Sequence, residues 1–508
     1  MLSVLLAFWV WGHDLGVGPN LIRGDRGQLF LLPLDMREWL PEGHLALFVI
    51  DVVEGLDLSR FVGRYRVDGR GGAAYDPAVM VALLVYAYCV GERSSRRIER
   101  RCVEDVAYRV VAGNLRPDHA TIARFRVDHE AALAQLFVQV LALCAEAGLV
   151  RVGVVALDGT KMAAAASLSS NMSDAQLQAA IARQVAKMLA EAAAVDAAED
   201  ELYGDARGDE LPAELVDRAS RLRRLAEARE RLAARQRAER RPGADRQERQ
   251  ANVVDPASRI MKTPQGWVQG YNAQAAATAD QVIVAASVCD QPADVEQFAP
   301  MVAATVSNLA AVGVEEPVGT WLADAGYYSS DNAELDVPGD VLIATAKADK
   351  LPTQPPAPIQ EQPDPSDAAE DQRIDLLDAL FAAVDVGEID MKAAREHVGL
   401  SRAQVYKLRA DWRAGGRDAL QRRIRHGNPK QTKPTPRSVR VKHAMQTRLT
   451  DPALGALYTQ RGQIIEPIFG QIKDPRRIRG FQRRGLGAVD AEWKLICATH
   501  NLLKLWRA

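Results

Sequence analysis

The chain has 508 residues, 48% of them hydrophobic and 26% charged, with a formal net charge of −2. That length exceeds what one hydrophobic core supports, so about two to four domains are expected. Five cysteines without a Cys-x-x-Cys spacing exclude a disulfide framework and a zinc ribbon, and point to a reducing, cytoplasmic setting.

The opening Met1–Trp11 is apolar but has no basic lead and no small-residue cleavage site. It is too short to span a bilayer, so neither a signal peptide nor an anchor is expected. Residues 1–24 read as an unstructured or mis-assigned start. Residues 25–149 read as an all-α domain. Pro77 opens an apolar run, Ser94-Ser95 can cap a helix over 96–113, and Asp118 can cap a long helix ended by Gly148. In that last helix Leu133, Leu136, Phe137, Val140, Leu141 and Cys144 fall on one face.

The pattern then changes. Val152-Gly-Val-Val-Ala-Leu-Asp158 reads as a buried strand ending in a carboxylate. Residues 174–250, Ala-rich and then densely charged with Leu215, Leu222, Leu225 and Leu232 at near-heptad spacing, read as an inserted helical hairpin. Strands follow near 266–272 and 281–286, then a helix over 294–311, then Val318-Gly-Thr-Trp-Leu-Ala-Asp324, a second strand ending in a carboxylate. A short strand over 340–345 comes next. A third acid, Glu466, lies within a helical stretch over 461–473. The order strand(Asp), strand, strand, helix, strand(Asp), strand, helix(Glu) predicts an α/β fold. Its expected centre is an RNase H-like catalytic core, a mixed sheet with helices assembled from 150–349 and 446–508.

Residues 350–372 are rich in Pro, Gln and Asp and read as a linker. In 373–445, helices over 373–385, 390–397 and 402–413 are joined by turns, and Val405, Leu408 and Trp412 form one apolar face. Arg402, Gln404, Lys407 and Arg409 then lie off the core, as in a helix-turn-helix whose last helix enters a DNA groove. The near-neutral total hides an asymmetry, because residues 391–508 carry about +18 and the rest about −20. The arm over 422–442, with Arg422 and Arg425, contains no acid, and such unbalanced charge favours a phosphate backbone.

Taken singly, Asp158 and Asp324 have an ordinary reading as turn residues or helix caps, and Glu466 as a solvated flank. Together, in fold order, they are the oxygen donors that two Mg²⁺ ions (or Mn²⁺) require for phosphoryl transfer. No histidine pair has metal-ligand spacing, no Gly-x-x-x-x-Gly-Lys-Ser/Thr loop exists for a nucleotide cofactor, and no Gly-x-Ser-x-Gly elbow is present.

Several blocks carry a family resemblance. Tyr458-Thr-Gln-Arg461 through Glu466 to Lys473 resembles the Tyr…Arg…Glu…Lys signature of bacterial insertion-sequence transposases of the DDE type. Ala156-Leu-Asp-Gly-Thr-Lys161 and Leu322-Ala-Asp-Ala-Gly-Tyr327 are similar to their catalytic strands. Gly270-Tyr-Asn-Ala-Gln274, Arg97-Ile-Glu-Arg100 and the block from Thr499 to Trp506 resemble flanking motifs. The resemblance covers about 25–350 and 450–508. Four residues separate Arg461 from Glu466 where the commonest signature has three, and 350–445 lies outside the pattern. The resemblance implies catalysis and metal binding by Asp158, Asp324 and Glu466, with Tyr458, Arg461 and Lys473 on backbone phosphates. It implies double-stranded DNA partners, namely terminal inverted repeats and target, and a homo-oligomer on DNA without a membrane. The alternatives are a non-catalytic helix-turn-helix DNA-binding protein and an inactive relic.

Overall fold

The computed structural model describes residues 35–63, 65, 74–203, 213–238, 250–346, 354–356, 365–425 and 436–508. The expected start over 1–24 lies outside these residues, as do 350–353 and 357–364 of the expected linker, whereas its last stretch, 365–372, is not linker but the beginning of a helix over Pro365–Asp385.

The N-terminal part is helical: α1 (Leu45–Gly55), α2 (Ser59–Val62), α3 (Pro77–Cys89), α4 (Ser95–Glu104), α5 (Val106–Val111), α6 (His119–Asp128) and α7 (Glu130–Glu146). The single helix expected over 96–113 is two. Asp105 ends α4 and turns its carboxylate onto the amides of Ala107 and Tyr108, at 3.0 and 3.4 Å, to start α5. Asp118 caps α6 through the amide of Thr121 at 2.9 Å. The expected continuation breaks at His129, where α6 and α7 meet at 74°. Among the described residues no single helix is long and apolar enough to cross a membrane, and only that bent pair passes by length and composition. The six apolar residues of α7 noted above are all buried.

Next come β1 (Val154–Ala163), β2 (Asn171–Ser173), α8 (Asp174–Tyr203), α9 (Ala213–Ala238), β3 (Gln250–Asn252), β4 (Arg259–Thr263), β5 (Gly266–Thr278), β6 (Ile283–Cys289), α10 (Phe298–Ala311), β7 (Thr320–Ala323), α11 (Ser330–Ala333) and β8 (Asp340–Ile343). The fold is mixed α/β. Among the described residues one sheet of six strands runs β4-β5-β1-β7-β8, with β6 also on β5. β1 pairs antiparallel with β5 and parallel with β7, and β7 pairs parallel with β8. Alternation along the strands splits the core. Ala156 and Leu322 join one cluster with Ile464, Ile465, Ile468 and Phe469, while Leu157, Trp321 and Ala323 join another with Phe298 and Met301 of α10.

The remaining helices are α12 (Pro365–Asp385), α13 (Met391–Val398), α14 (Arg402–Arg425), α15 (Pro436–Thr450), α16 (Pro452–Ile464), α17 (Glu466–Lys473) and α18 (Leu486–Arg507). Ile374, Leu377, Phe381, Val405 and Leu420 form a separate small core, with Leu408 and Trp412 against it. Gly399, at φ +67°, makes the turn between α13 and α14. α14 breaks at Gly415-Gly416, just beyond the expected end at 413.

α18 fastens the sheet to the helical part. Asn501 donates to the carbonyl of Ile283 and accepts from its amide, both at 2.8 Å, which satisfies a backbone edge that no strand among the described residues pairs. Buried Glu492 takes Arg93 of the helical part at 2.9 Å. These contacts give physical roles to the Thr499-His-Asn501 block.

Candidate active site

β1 and β7 run side by side up to Leu157 and Ala323. Neighbouring strands lie about 4.8 Å apart, so Asp158 and Asp324, each one residue further on, stand next to each other. Both share the parity of Ala156 and Leu322, which puts them on the sheet face covered by α16 and α17. β1 continues antiparallel to β5, whereas at Asp324 the chain leaves the sheet. There the Asp324 carboxylate caps a 3₁₀ turn through the amide of Gly326 at 2.9 Å.

Asp158 is mostly buried, with a side chain 18% exposed. Burial raises its pKa to about 6. Asp324 adds to the rise, while Arg461 and the Gly159 amide oppose it. Arg461, on the last turn of α16, reaches Asp158 Oδ2 with Nη1 at 3.1 Å and Glu466 Oε1 with Nη2 at 3.3 Å. One guanidinium thus bridges the first and third acids. Burial works to lower its pKa, but Asp158, Tyr458 and Asp324 more than offset this, so it stays charged.

The helix expected over 461–473 is broken at Ile465, between α16 and α17. Pro467 explains the break, because it has no N–H for the carbonyl of Gln463. That carbonyl accepts instead from Gln281 Nε2 at 2.9 Å. The break puts Glu466 at the first position of α17 with its side chain 63% exposed. At the far end of the same helix Lys473 contacts the Thr160 hydroxyl, two residues past Asp158. Burial lowers the Lys473 pKa, and Asp158 opposes the fall. Half-buried Tyr458 lies beside Arg461, and burial raises its phenol pKa. The structure therefore brings Asp158, Asp324, Glu466, Tyr458, Arg461 and Lys473 into one locale. Among the described residues, however, no three His, Cys, Asp or Glu side chains close on a point that would hold a metal ion.

Comparison with known families gives three matches. Residues 34–128 match a Transposase domain (DUF772), residues 377–430 a Helix-turn-helix domain, and residues 421–506 a Transposase DDE domain. Together the three matches support an insertion-sequence DDE transposase. No curated protein and no solved structure matches. The DDE match spans Tyr458, Arg461, Glu466 and Lys473 but stops short of Asp158 and Asp324.

In the helix-turn-helix match, Arg402 and Lys407 are exposed, and Arg402 stacks over Tyr406 with 5.6 Å to the ring centre. Two other candidates are engaged in the fold. Gln404 Oε1 accepts from the Ser401 amide at 3.1 Å and hydroxyl at 2.8 Å, closing a capping box. Arg409 and Arg413 share Asp385 of α12. The backbone at Arg422 and Arg425 is the end of α14, and their side chains lie outside the described residues, as does all of 426–435. The expected arm is thus helical on either side of 426–435, and the fold itself neutralises part of its charge. Arg423 pairs with Asp411 at 3.3 Å, and Arg437 with Glu334 at 2.7 Å and Asp331 at 3.1 Å.

A polar network on the opposite face of the sheet escaped sequence reasoning. Asp294 Oδ1 accepts from Asn272 at 2.6 Å, Gln274 at 2.8 Å and Lys161 at 3.2 Å, and Gln274 Oε1 accepts from the buried Tyr327 hydroxyl. Burial and the nearby Asp294, Asp158 and Asp324 push that phenol well up. The network braces β1 and the turn that holds Asp324. Its sequence signal was Asn272 and Gln274 on alternate positions beside the small, apolar run Ala275–Ala277 of β5.

Proposed function

We propose that the chain catalyses metal-dependent DNA strand cleavage and strand transfer at insertion-sequence ends, with Asp158, Asp324 and Glu466 as the catalytic carboxylates on an RNase H-like core. The observation that carries this reading is the pair of adjacent strand-end acids linked through Arg461 to an acid on the covering helix. The strand order supports it: a central β1, β7 and β8 parallel on one side, and an antiparallel β5 with β6 beyond it on the other.

The donor chemistry fits Mg²⁺ or Mn²⁺, because the three candidate ligands offer only carboxylate oxygens. The Asp158 pKa is raised chiefly by burial, with the neighbouring Asp324 adding to the rise, and a divalent cation held by the two acids would favour the ionised form. Arg461 lies between Asp158 and Glu466, and both carboxylates would have to be freed from it to serve as cation ligands. Two bound ions would supply activation of the attacking oxygen and neutralisation of charge on the departing one. The chain's own cations and hydroxyl handle the DNA. Lys473 and a released Arg461 would pair with phosphates flanking the cut, and the Tyr458 phenol, kept protonated by its raised pKa, would donate a hydrogen bond to a phosphate oxygen. The proposed layout places α12–α14 as the reader of double-stranded transposon ends, in a cytoplasmic homo-oligomer assembled on DNA.

The test is incubation of the full chain with a duplex carrying the flanking inverted repeats, with and without Mg²⁺. A nick that depends on the cation supports the reading. Binding without any nick would favour a non-catalytic DNA-binding protein.

A further inference from the structure

The helical hairpin α8–α9 carries a cleft of about 590 Å³ that none of the roles above uses. Its floor is apolar, with Met172, Leu225 and Val253. Its walls are basic: Arg183 and Lys187 on α8, Arg221 and Arg224 on α9. Within each helix the two cations are three or four residues apart, so they stand about 5–6 Å from each other on one face. Among the described residues no acid lines the cleft. Among the described acids of the hairpin, Asp174 pairs with Arg229 at 3.2 Å and Glu227 with Arg231 at 3.1 Å. None of the four wall cations has an ion-pair partner among the described residues.

Four like charges facing one another across a groove repel unless an anion lies between them. The hairpin is also held in a fixed orientation. Arg235 of α9 donates to the carbonyls of Pro256, Ala257 and Ser258 at 3.2–3.4 Å and pairs with Asp290 at 3.4 Å, and Asp290 also takes Arg259 of β4 at 2.9 Å. A cleft braced against the sheet can hold a ligand in register with a site on that sheet, which a loosely tethered hairpin cannot do.

We propose that this cleft grips the phosphate backbone of duplex DNA, as a contact distinct from both the carboxylate site and the helix-turn-helix. The inference rests on the reading of the chain as acting on DNA. Duplex DNA is favoured over an acidic protein segment because it presents a dense, regular row of charges, about one per 1.7 Å of axis. The walls offer guanidinium and ammonium groups with no complementary acid to read a protein sequence.

The test replaces Arg183, Lys187, Arg221 and Arg224 together by Gln in the full chain. Affinity is measured by fluorescence anisotropy on an inverted-repeat duplex and on an unrelated duplex, between 50 and 200 mM salt. All four sites lie on the hairpin surface, and an unchanged thermal unfolding curve checks the fold. Loss of four phosphate contacts should reduce the slope of log affinity against log salt by about 3–4, with both duplexes weakened alike. A second variant with Lys at the three arginine positions keeps the charge and should retain most of the affinity. If the parent binds neither duplex, the functional reading itself fails. If the parent binds and the Gln variant keeps its affinity and salt slope, the cleft is not a DNA contact, and an acidic protein partner becomes the better occupant. A Lys variant as weak as the Gln variant would also overturn the proposal.

Discussion

Gly159, the residue after Asp158, is where the structure makes its sharpest demand. A Cβ placed there would lie 2.2 Å from Gln274 Nε2, 2.7 Å from Asp294 Oδ1 and 2.8 Å from Asn272 Oδ1. Ordinary contact between such atoms is about 3.5–4 Å, so Gly159→Ala forces a displacement of about 1 Å or more. Gln274 cannot simply turn away. It is fully buried, its amide nitrogen donates to Asp294 and its oxygen accepts from Tyr327. Either β1 shifts, an overpacking cost of about 1–3 kcal/mol, or the amide moves and strands one or two buried partners at about 1–3 kcal/mol each. A loss of about 1–6 kcal/mol, depending on which gives way, is expected in urea unfolding. Because the shift acts next to Asp158, cleavage should fall by about 100-fold, the effect typical of a 1 Å misplacement. Adding Gln274→Ala to Gly159→Ala makes room for the methyl, so the double variant should be less destabilised than the sum of the two single ones. A Gly159→Ala protein within about 0.5 kcal/mol of the parent would show that this packing does not hold Asp158.

Asp158 is expected to weaken the fold when no divalent cation is present. Its pKa is about 6 when folded, against about 3.9 in an unfolded chain. The folded state therefore binds the extra proton between those values, and stability falls as pH rises through that window and then levels. Asp158→Asn should be more stable than the parent at pH 8, by at most about 3 kcal/mol, with the difference vanishing below about pH 4; a variant less stable at pH 8 would contradict this. In the helix-turn-helix, Gln404→Ala removes half of a capping box and should cost that unit about 0.5–2 kcal/mol in thermal unfolding. Unchanged stability would show that the Gln404 amide is free to serve DNA alone.

Much of the layout was legible because it is written in short-range periodicity. The buried face of α7, the Val405, Leu408 and Trp412 face of α14 and the apolar runs that end at Asp158 and Asp324 each follow from residue spacing. What was not legible depends on contacts distant in sequence or on single breaking residues. The edge strand β4 is short and mostly polar, so nothing local marks it. Asp105 both ends one helix and starts the next, a double role that residue spacing hides. Pro467 ends α16 inside a stretch whose apolar pattern runs on. The bridge from Arg461 to Asp158 spans 303 residues. The neutralisation of Arg437 by Glu334 is similarly remote, which is why the basic arm looked more exposed than it is. Asp294 follows a loop-like stretch, and only the strands around it reveal its three donors.

The most direct test of the central claim is cleavage of a labelled inverted-repeat duplex in Mg²⁺ by Asp158→Asn, Asp324→Asn and Glu466→Gln, each with DNA binding measured in parallel. Residues that act as one unit are grossly non-additive when removed. Each single variant should therefore lose nearly all cleavage while binding DNA about as tightly as the parent, and the triple variant should be little worse than any single one. Glu466→Gln is the most telling of the three, because Glu466 is the most exposed acid and now faces Arg461. Substantial cleavage by Glu466→Gln, or by either Asp variant, would contradict the assignment of these three carboxylates to one catalytic site.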